Sequence, residues 1–308
     1  MQRPPVGESS PWDWPDALKP PFALLAFDWD GTAVENRRAD AAPVRDRLSR
    51  LLARGVWVMV VSGTNVQNIH GQLSAGIDPL LRDRLRLSTN RGSEVWDFAG
   101  SDPRLLYRRQ ETPLETVKLN AIAQAVCEAV LERSGLHVGL VMDRLNRRKI
   151  DLLPEPQWAD PPKSEIGALA QATDTRLRNA GFAGGIADVL RITAEMMWRY
   201  GLEEARVTTD AKNIEVGLTD KADAMRWLEQ EILGPYGVLP ESVFIGGDEF
   251  GPIGGIEGSD ARMLLPSLAG AVWASFGPEP FGLPSAVFHL PGGPSRFQSF
   301  LDLQLGVQ

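Results

Sequence analysis

Short, wholly apolar runs alternate with amphipathic segments in the outer parts of the chain. Residues 23–27 and 56–61 are apolar at every position, which is typical of parallel strands buried on both faces. Between them, residues 44–54 carry leucines at helical spacing, and Gly55 follows as a C-terminal cap. This strand–helix–strand order predicts two parallel strands joined by a right-handed crossover.

The same alternation returns toward the C-terminus. Residues 222–233 predict a helix, and residues 243–245 predict a third short buried strand. Residues 270–275 predict a further strand, and residues 296–303 predict a closing helix. The two outer parts together therefore predict an α/β fold, a Rossmann-like, doubly wound parallel sheet covered by helices.

A long segment separates these two outer parts. Ser62 and Lys221 lie 159 positions apart, whereas a strand–helix–strand unit needs only about 30 residues. Patterns within this segment predict helices over residues 117–133 and 186–200 and strands over residues 137–142 and 149–153. We therefore predict an inserted, smaller α+β domain over residues 110–205, with the core formed by residues 1–109 and 206–308.

Two carboxylates, those of Asp28 and Asp30, follow the first predicted strand directly. In an extended chain they point to the same side, where they repel each other unless a cation or a proton lies between them. Gly31 permits a tight turn close to a ligand. Such a pair can divide its work, with one carboxylate as nucleophile and metal ligand and the other as general acid and base. This motif alone leaves open a hydrated turn or the metal site of a nucleotide-sugar glycosyltransferase.

Further polar groups stand where other predicted strands end or where a predicted helix begins. Ser62 and Gly63 end the second strand with a hydroxyl and a backbone N–H that suit a phosphate oxygen, although Ser-Gly after a strand is more often a plain turn. Lys221 begins a helix, where its charge opposes the helix dipole, and this weakly indicates an anionic partner. Asp248 ends the third strand and, with Asp28, completes an oxygen site suited to Mg²⁺. Because ligands bind beyond the carboxyl ends of parallel strands, these groups together predict a site at that edge.

Composition narrows the classes of partner and location. The chain of 308 residues is 43% hydrophobic and 23% charged, carries a net charge of −8, and has no apolar run long enough to span a membrane. Without a long basic stripe, a nucleic-acid partner is not expected. A lone cysteine, Cys127, and an N-terminus without a secretory pattern predict a cytoplasmic location. The proline-rich residues 1–21, with Trp12 and Trp14, are predicted to form an extended surface arm.

The order of these groups resembles the haloacid dehalogenase (HAD) superfamily of phosphotransferases. Counterparts of its four motifs are Asp28-Trp29-Asp30-Gly31-Thr32, Ser62, Lys221 and Gly247-Asp248. Residues 88–93 and 213–217 are similar to the sugar-phosphate phosphatases and phosphomannomutase, whose cap domain lies between the second and third motifs. One departure concerns the acidic residue after the fourth motif, because Glu249 is adjacent and Asp260 comes only after a glycine-rich loop. Both are candidates to support the metal.

The resemblance implies a Mg²⁺-dependent phosphatase acting on a phosphorylated sugar or a related small metabolite. Asp28 would take up the phosphoryl group as an aspartyl-phosphate, and Asp30 would act first as general acid and then as general base. The implied metal ligands are Asp28, Asp30 and Asp248, and the implied phosphate-binding residues are Gly31, Thr32, Ser62, Gly63 and Lys221. A phosphohexomutase using the same carboxylates and a non-catalytic sugar-phosphate-binding protein are the alternatives.

Substrate choice is expected to come from the inserted domain. Its most basic stretch holds Arg144, Arg147, Arg148 and Lys149, and arginine forks suit carboxylate or phosphate groups. A solvated hairpin turn is the commoner role for such a run, because arginine and lysine are mostly exposed in proteins. The sequence does not name the sugar or the oligomeric state.

Overall fold

The computed structural model describes residues 13–19, 21–100, 102–159 and 161–307. Its strands are β1 (Leu24–Phe27), β2 (Trp57–Val61), β3 (Leu85–Thr89), β4 (Glu94–Asp97), β5 (Arg104–Arg108), β6 (Gly139–Arg144), β7 (Arg147–Asp151), β8 (Arg206–Thr209), β9 (Asn213–Gly217), β10 (Val243–Gly247), β11 (Val272–Ser275) and β12 (Val287–His289). Its α-helices are α1 (Ala42–Ala53), α2 (Val66–His70), α3 (Pro113–Ser134), α4 (Ile166–Asn179), α5 (Ile186–Arg199), α6 (Lys221–Leu228), α7 (Gly234–Tyr236) and α8 (Gly293–Gln304). None of the helices in these ranges is long and apolar enough to cross a membrane.

The larger sheet confirms the predicted α/β core. Across the described ranges it has eight strands in the order β12-β11-β10-β1-β2-β3-β4-β5. The strands from β12 to β3 run parallel, as expected for β1 and β2, which are apolar at every position and buried on both faces. β4 and β5 add an antiparallel edge that the hydrophobic pattern did not predict.

Helices cover both faces of this sheet. Leu48 of α1 and Phe297 and Phe300 of α8 belong to the apolar cluster on one face. Met225 and Leu228 of α6 belong to the cluster on the other face. β1 lies between β2, reached through α1, and β10, reached after α6, so the winding reverses beside β1. The carboxyl ends of β1, β2 and β10 therefore form a switch point, where open α/β sheets bind ligands.

The segment between β5 and α6 forms a second sheet with its own helices. In the described part of the chain this sheet has four antiparallel strands in the order β6-β7-β9-β8. Helices α3 and α5 bury Val126 and Val189 in one cluster with Ile150 and Ile214 of the sheet. The border predicted at residue 205 cuts through this sheet, because β8 and β9 follow it and pair with each other and with β7. We propose instead that the inserted domain ends after β9.

The predicted surface arm is wrong at Trp14. This side chain is 5% exposed, and its ring lies 6.1 Å from the ring of Phe300, with the Arg296 guanidinium 3.9 Å above it. An indole buries a large apolar area, and that gain outweighs the tendency of proline-rich segments to remain extended in water. Trp12 lies outside the described residues.

Candidate active site

The two carboxylates after β1 lie in different surroundings. Asp28 is 7% exposed, and its backbone N–H donates to the carbonyl of Gly246 on β10 at 3.0 Å, which fixes it to the sheet edge. Asp30 is half-buried, and its Oδ2 lies 3.7 Å from Nε of Arg37. A buried and a half-buried carboxylate can hold different charges, as the division of work between them requires.

Three buried carboxylates converge at this edge. Asp28, Asp248 and Asp260 each offer one oxygen, and the three oxygens lie within 4.8 Å of one another. Nζ of Lys221, the first residue of α6, donates to Oδ1 of Asp28 at 2.6 Å and to Oδ1 of Asp260 at 2.5 Å. Lys221 offsets one of the three negative charges, and Lys163, the other lysine near the cluster, is paired with Glu249, so the charge balance leaves room for a divalent cation.

The pKa shifts follow from this crowding. Burial, reinforced by the charge of Asp260, raises the pKa of Asp28 to about 7 even though Lys221 opposes the shift. Burial likewise raises the pKa of Asp248 well above its usual range, against the opposing charge of Lys163. Burial alone would lower the pKa of Lys221, but the Asp260 and Asp28 carboxylates outweigh it and raise the pKa above its ordinary value. The ionised carboxylates are therefore costly here unless a cation joins them.

Asp260, which the sequence left as one of two candidates, is part of the cluster. Its Oδ2 accepts the backbone N–H groups of Asp248 and Glu249, both at 2.8 Å, so that it holds the loop after β10 in place. A Cβ on Gly247 would lie 2.4 Å from the same oxygen, and glycine therefore permits this approach. The glycine-rich loop between Asp248 and Asp260 thus folds back on itself.

Glu249, the other candidate, turns away from the cluster. It forms an ion pair with Lys163 of the insert and accepts a hydrogen bond from the Ser259 hydroxyl at 2.9 Å. Burial works against ionisation of Glu249, but Lys163 outweighs burial and lowers the pKa to about 2. Glu249 therefore links the core to the insert.

The other predicted phosphate-binding residues lie at the same sheet edge. Thr32 is fully buried, and its hydroxyl donates to Oδ1 of Asp248 at 3.1 Å. Ser62 is also buried and follows β2, the neighbour of β1; its Oγ accepts the backbone N–H of Thr64 at 3.3 Å. The carbonyl of Gly63 accepts a hydrogen bond from Nη2 of Arg147 at 2.7 Å.

The basic stretch of the insert is only in part the solvated turn that its composition favoured. Arg147 and Arg148 are 7% and 2% exposed, because β7 is an inner strand of the smaller sheet. Arg148 pairs with Glu111, at 3.2 Å from Nη2 to Oε1. Arg144 is exposed, as a solvated turn requires, and Lys149 is half-buried.

Sequence reasoning assigned no role to three residues near the site. Nε of Arg91, in the loop after β3, lies 2.7 Å from Oε2 of Glu215 on β9. Arg91 and Glu215 fall in the stretches 88–93 and 213–217, which are similar to the sugar-phosphate phosphatases, so the resemblance could have drawn attention to them. Lys163, which reaches Glu249, stands in a loop without a pattern that would reveal it.

Gly31 offers a test of how tightly the cluster is built. Its φ is +91°, and a Cβ there would lie 2.3 Å from Oδ2 of Asp248. We expect Gly31→Ala to displace Asp248, to lower the midpoint of thermal unfolding, and to weaken Mg²⁺ binding about tenfold or more. Calorimetric titration with Mg²⁺ measures the affinity.

Gly71→Ala is the matched control for this substitution. Its φ is −63°, in the right-handed region, and a Cβ there would meet no atom within 4 Å among the described residues. We expect this variant to bind Mg²⁺ like the unmodified protein. Equal Mg²⁺ affinity in the two alanine variants would show that Asp248 takes no part in binding the ion.

Comparison with solved structures identifies proteins of the same fold. Trehalose-6-phosphate phosphatase of Aspergillus fumigatus matches with a TM-score of 0.57 and 17% identity, over 92% of this chain and 93% of that one. The C-terminal domain of trehalose-6-phosphate phosphatase from C. albicans matches with a TM-score of 0.59 and 14% identity, over 92% and 93%. The IMP-bound, N-terminally truncated IMP-nucleotidase of Plasmodium falciparum matches with a TM-score of 0.58 and 12% identity, over 92% and 68%.

Sequence comparison is less sensitive. No protein-family model and no curated protein sequence matches this chain. The structural matches extend over nearly the whole chain, insert included, at identities that establish the fold and nothing further. They confirm the α/β fold with an insert that the resemblance to the HAD superfamily implied.

Proposed function

We propose that this protein is a Mg²⁺-dependent phosphatase that hydrolyses the phosphate monoester of a sugar or a related small metabolite through an aspartyl-phosphate at Asp28. The observation that carries the proposal is the convergence of Asp28, Asp248 and Asp260 around Lys221 at the switch point of the sheet. The fold shared with trehalose-6-phosphate phosphatases and IMP-nucleotidases supports it.

The residues of the cluster fit Mg²⁺. This ion prefers oxygen ligands and usually takes one or two carboxylates, completing its shell with water and substrate phosphate. Asp28 and Asp248 would hold it, Asp260 would orient Asp248 through its backbone N–H, and Thr32 would orient the Asp248 carboxylate. Asp30, also predicted as a ligand, is not among the three side chains that converge. When bound, the ion supplies positive charge that offsets the charge of a phosphoryl group near Asp28.

The protein's own groups can then perform two displacements. An oxygen of Asp28 attacks phosphorus in line, and the P–O bond to the sugar breaks as the leaving alkoxide takes a proton from Asp30. A water molecule next attacks the phosphorus of the aspartyl-phosphate and gives its proton to Asp30, which releases phosphate and restores Asp28. Lys221 and the hydroxyl of Ser62 stabilise the charge on the transferring oxygens, because phosphoryl transfer depends on positioning and electrostatics.

The proposed location is the cytoplasm, which the single free cysteine, Cys127, favours.

A phosphohexomutase would use the same two aspartates but return the phosphoryl group to the sugar. A non-catalytic sugar-phosphate-binding protein would hold substrate without turnover, and the occupied nucleophile, acid and lysine positions speak against it.

Phosphate release across a panel of phosphorylated metabolites, with Mg²⁺ present, tests the proposal. We expect release from p-nitrophenyl phosphate and faster release from a sugar phosphate. Release without a bisphosphate activator distinguishes hydrolysis from the mutase reaction. If the protein binds sugar phosphates and releases phosphate from none of the panel, the hydrolase assignment is wrong.

A further inference from the structure

Two arginines share one carboxylate at the junction of the insert and the core. Glu215 on β9 lies 2.7 Å from Nε of Arg91 and 3.5 Å from Nε of Arg147, measured from its Oε2. All three side chains are about nine-tenths buried, with 12%, 9% and 8% exposure for Arg91, Arg147 and Glu215. We call these three residues the arginine pair with its carboxylate.

The charges of the arginine pair with its carboxylate do not balance. Although burial opposes it, the charges of Glu215, Glu249 and Asp210 raise the pKa of Arg91, whereas Arg147 faces Glu215 together with the charges of three other arginines. Although burial opposes its ionisation, Arg147 and Arg91 lower the pKa of Glu215 to about 2. Burial, with repulsion from Arg91, Arg144 and Arg37, lowers the pKa of Arg147 to about 10 despite Glu215. Arg147 therefore carries the uncompensated charge.

The hydrogen bonds of Arg147 are also incomplete. Its Nη2 donates to the carbonyl of Gly63, whereas its buried Nη1 makes no hydrogen bond within the part of the chain that the structure describes. A buried guanidinium nitrogen without an acceptor is costly, and such groups are rare in folded proteins. A charged ligand that accepts from Nη1 would satisfy both the charge and the hydrogen bond.

Arg148, the next residue of β7, shows the opposite case. It is buried as well, but Nη1 and Nη2 lie 3.3 and 3.2 Å from the two oxygens of Glu111, and Nε donates to Oδ1 of Asn120 at 2.5 Å. The fold therefore supplies a full set of acceptors to one arginine of this strand. Arg147, its neighbour on the opposite face of β7, lacks such a set of acceptors.

The position of Arg147 places it near the reacting phosphate. Phe27 of β1 pairs with Val60 of β2. Asp28 is the next residue after Phe27, and Ser62 is the second residue after Val60, so both lie at the same end of the two strands. Gly63 directly follows Ser62, so the guanidinium that donates to its carbonyl lies at the same end of the sheet as the Asp28 carboxylate.

We propose that Arg147, supported by Arg91, binds a second anionic group of the substrate, so that the substrate carries a carboxylate or a second phosphate in addition to the phosphate that is hydrolysed. The inference rests on the proposed function and deepens it, because it names the substrate class. Glu215 fixes the two guanidinium groups in place and leaves one charge for the ligand.

Binding measurements test this proposal without turnover. The protein carries Asp28→Asn, contains Mg²⁺, and is titrated calorimetrically with two pairs of probes: glucose 6-phosphate against 6-phosphogluconate, and fructose 6-phosphate against fructose 1,6-bisphosphate. We expect the second member of at least one pair to bind about tenfold more tightly or better. Preference in the first pair alone identifies a carboxylate, and preference in the second pair alone identifies a phosphate.

Adding Arg147→Met is expected to reduce that preference to less than about threefold while the binding of the first members stays the same. No preference in either pair, a preference that survives Arg147→Met, or an equal loss for all four probes overturns the inference. The last of these results would place Arg147 at the transferring phosphate instead.

Thermal unfolding separates a binding role from a structural one. Arg147→Met leaves Arg91 and Glu215 as a balanced pair, so we expect the midpoint to stay the same or rise. Arg148→Met, the matched control, leaves the half-buried Glu111 without its partner and is expected to lower the midpoint. If both variants lose stability equally, Arg147 is structural and the inference is wrong. Absence of phosphate release from p-nitrophenyl phosphate by the unmodified protein would contradict the proposed function alone, because the titrations require no turnover.

Discussion

Replacing Asp28 with asparagine is expected to abolish phosphate release, by about 10⁴-fold or more, while the fold remains intact. An amide cannot attack phosphorus as a carboxylate does, but it has the same shape and can still accept the hydrogen bond from Lys221. Burial holds the pKa of Asp28 at about 7, so that the carboxylate is costly to the metal-free protein, and its removal should not lower stability. Release from p-nitrophenyl phosphate and thermal unfolding measure the two effects.

Asp83→Asn provides the control for this experiment. Asp83 is exposed and precedes β3, at the sheet edge opposite the cluster. We expect its substitution to leave phosphate release unchanged. Turnover by Asp28→Asn close to that of Asp83→Asn would remove Asp28 from the nucleophile role.

Replacing Lys221 with methionine is expected to reduce both activity and stability. The ammonium bonds to Asp28 and Asp260, and its loss leaves those buried carboxylates without their cation. Breaking a buried pair in this way costs about 3–5 kcal/mol, and loss of a cation that stabilises transition-state charge costs about 10²–10³ in rate. Chemical unfolding of the metal-free protein and steady-state phosphate release measure these losses.

The pH dependence of the stability loss follows from the pKa shifts. The pKa of Lys221 is raised above 10.5, so its contribution is complete below that pH and is lost only as pH rises through the folded-state value. Between pH 5 and 8, any change in the stability lost by Lys221→Met must therefore come from the carboxylates. Asp28, with its pKa near 7, is protonated at pH 5, and the loss in Lys221→Met should be smaller there than at pH 8. Lys221→Arg should retain part of the stability, and a loss independent of pH would contradict the pairing.

The centre of the core could be predicted from sequence because β1 and β2 are apolar at every position. Such runs are typical of a parallel sheet covered on both faces, and the carboxyl ends of parallel strands, with the polar residues that follow them, lie at one edge. Asp28, Ser62 and Asp248 were found in this way, and the structure places all three after β1, β2 and β10.

The rest of the fold and of the site depends on contacts between residues that are distant in sequence. The local pattern of apolar and polar residues does not reveal such contacts. Nothing in the sequence of β8 and β9 reveals that they pair with β7, and this pairing is the reason why we propose a border after β9 instead of at residue 205. A solvated turn was the commoner role for the basic run that holds Arg147, a substrate candidate, whereas an inner strand buries this side chain. Glu249 and Asp260 were equivalent in sequence, and only the fold of the loop between them brings Asp260 to Lys221.

A crystal structure determined with Mg²⁺ tests the central claim most directly. The claim is that Asp28 and Asp248 share one divalent cation at the carboxyl ends of β1 and β10. We expect the ion within about 2.0–2.1 Å of one oxygen from each carboxylate, with Asp260 holding Asp248 in place. A Mg²⁺ ion bound elsewhere, or bound without Asp28 or without Asp248, would contradict the account.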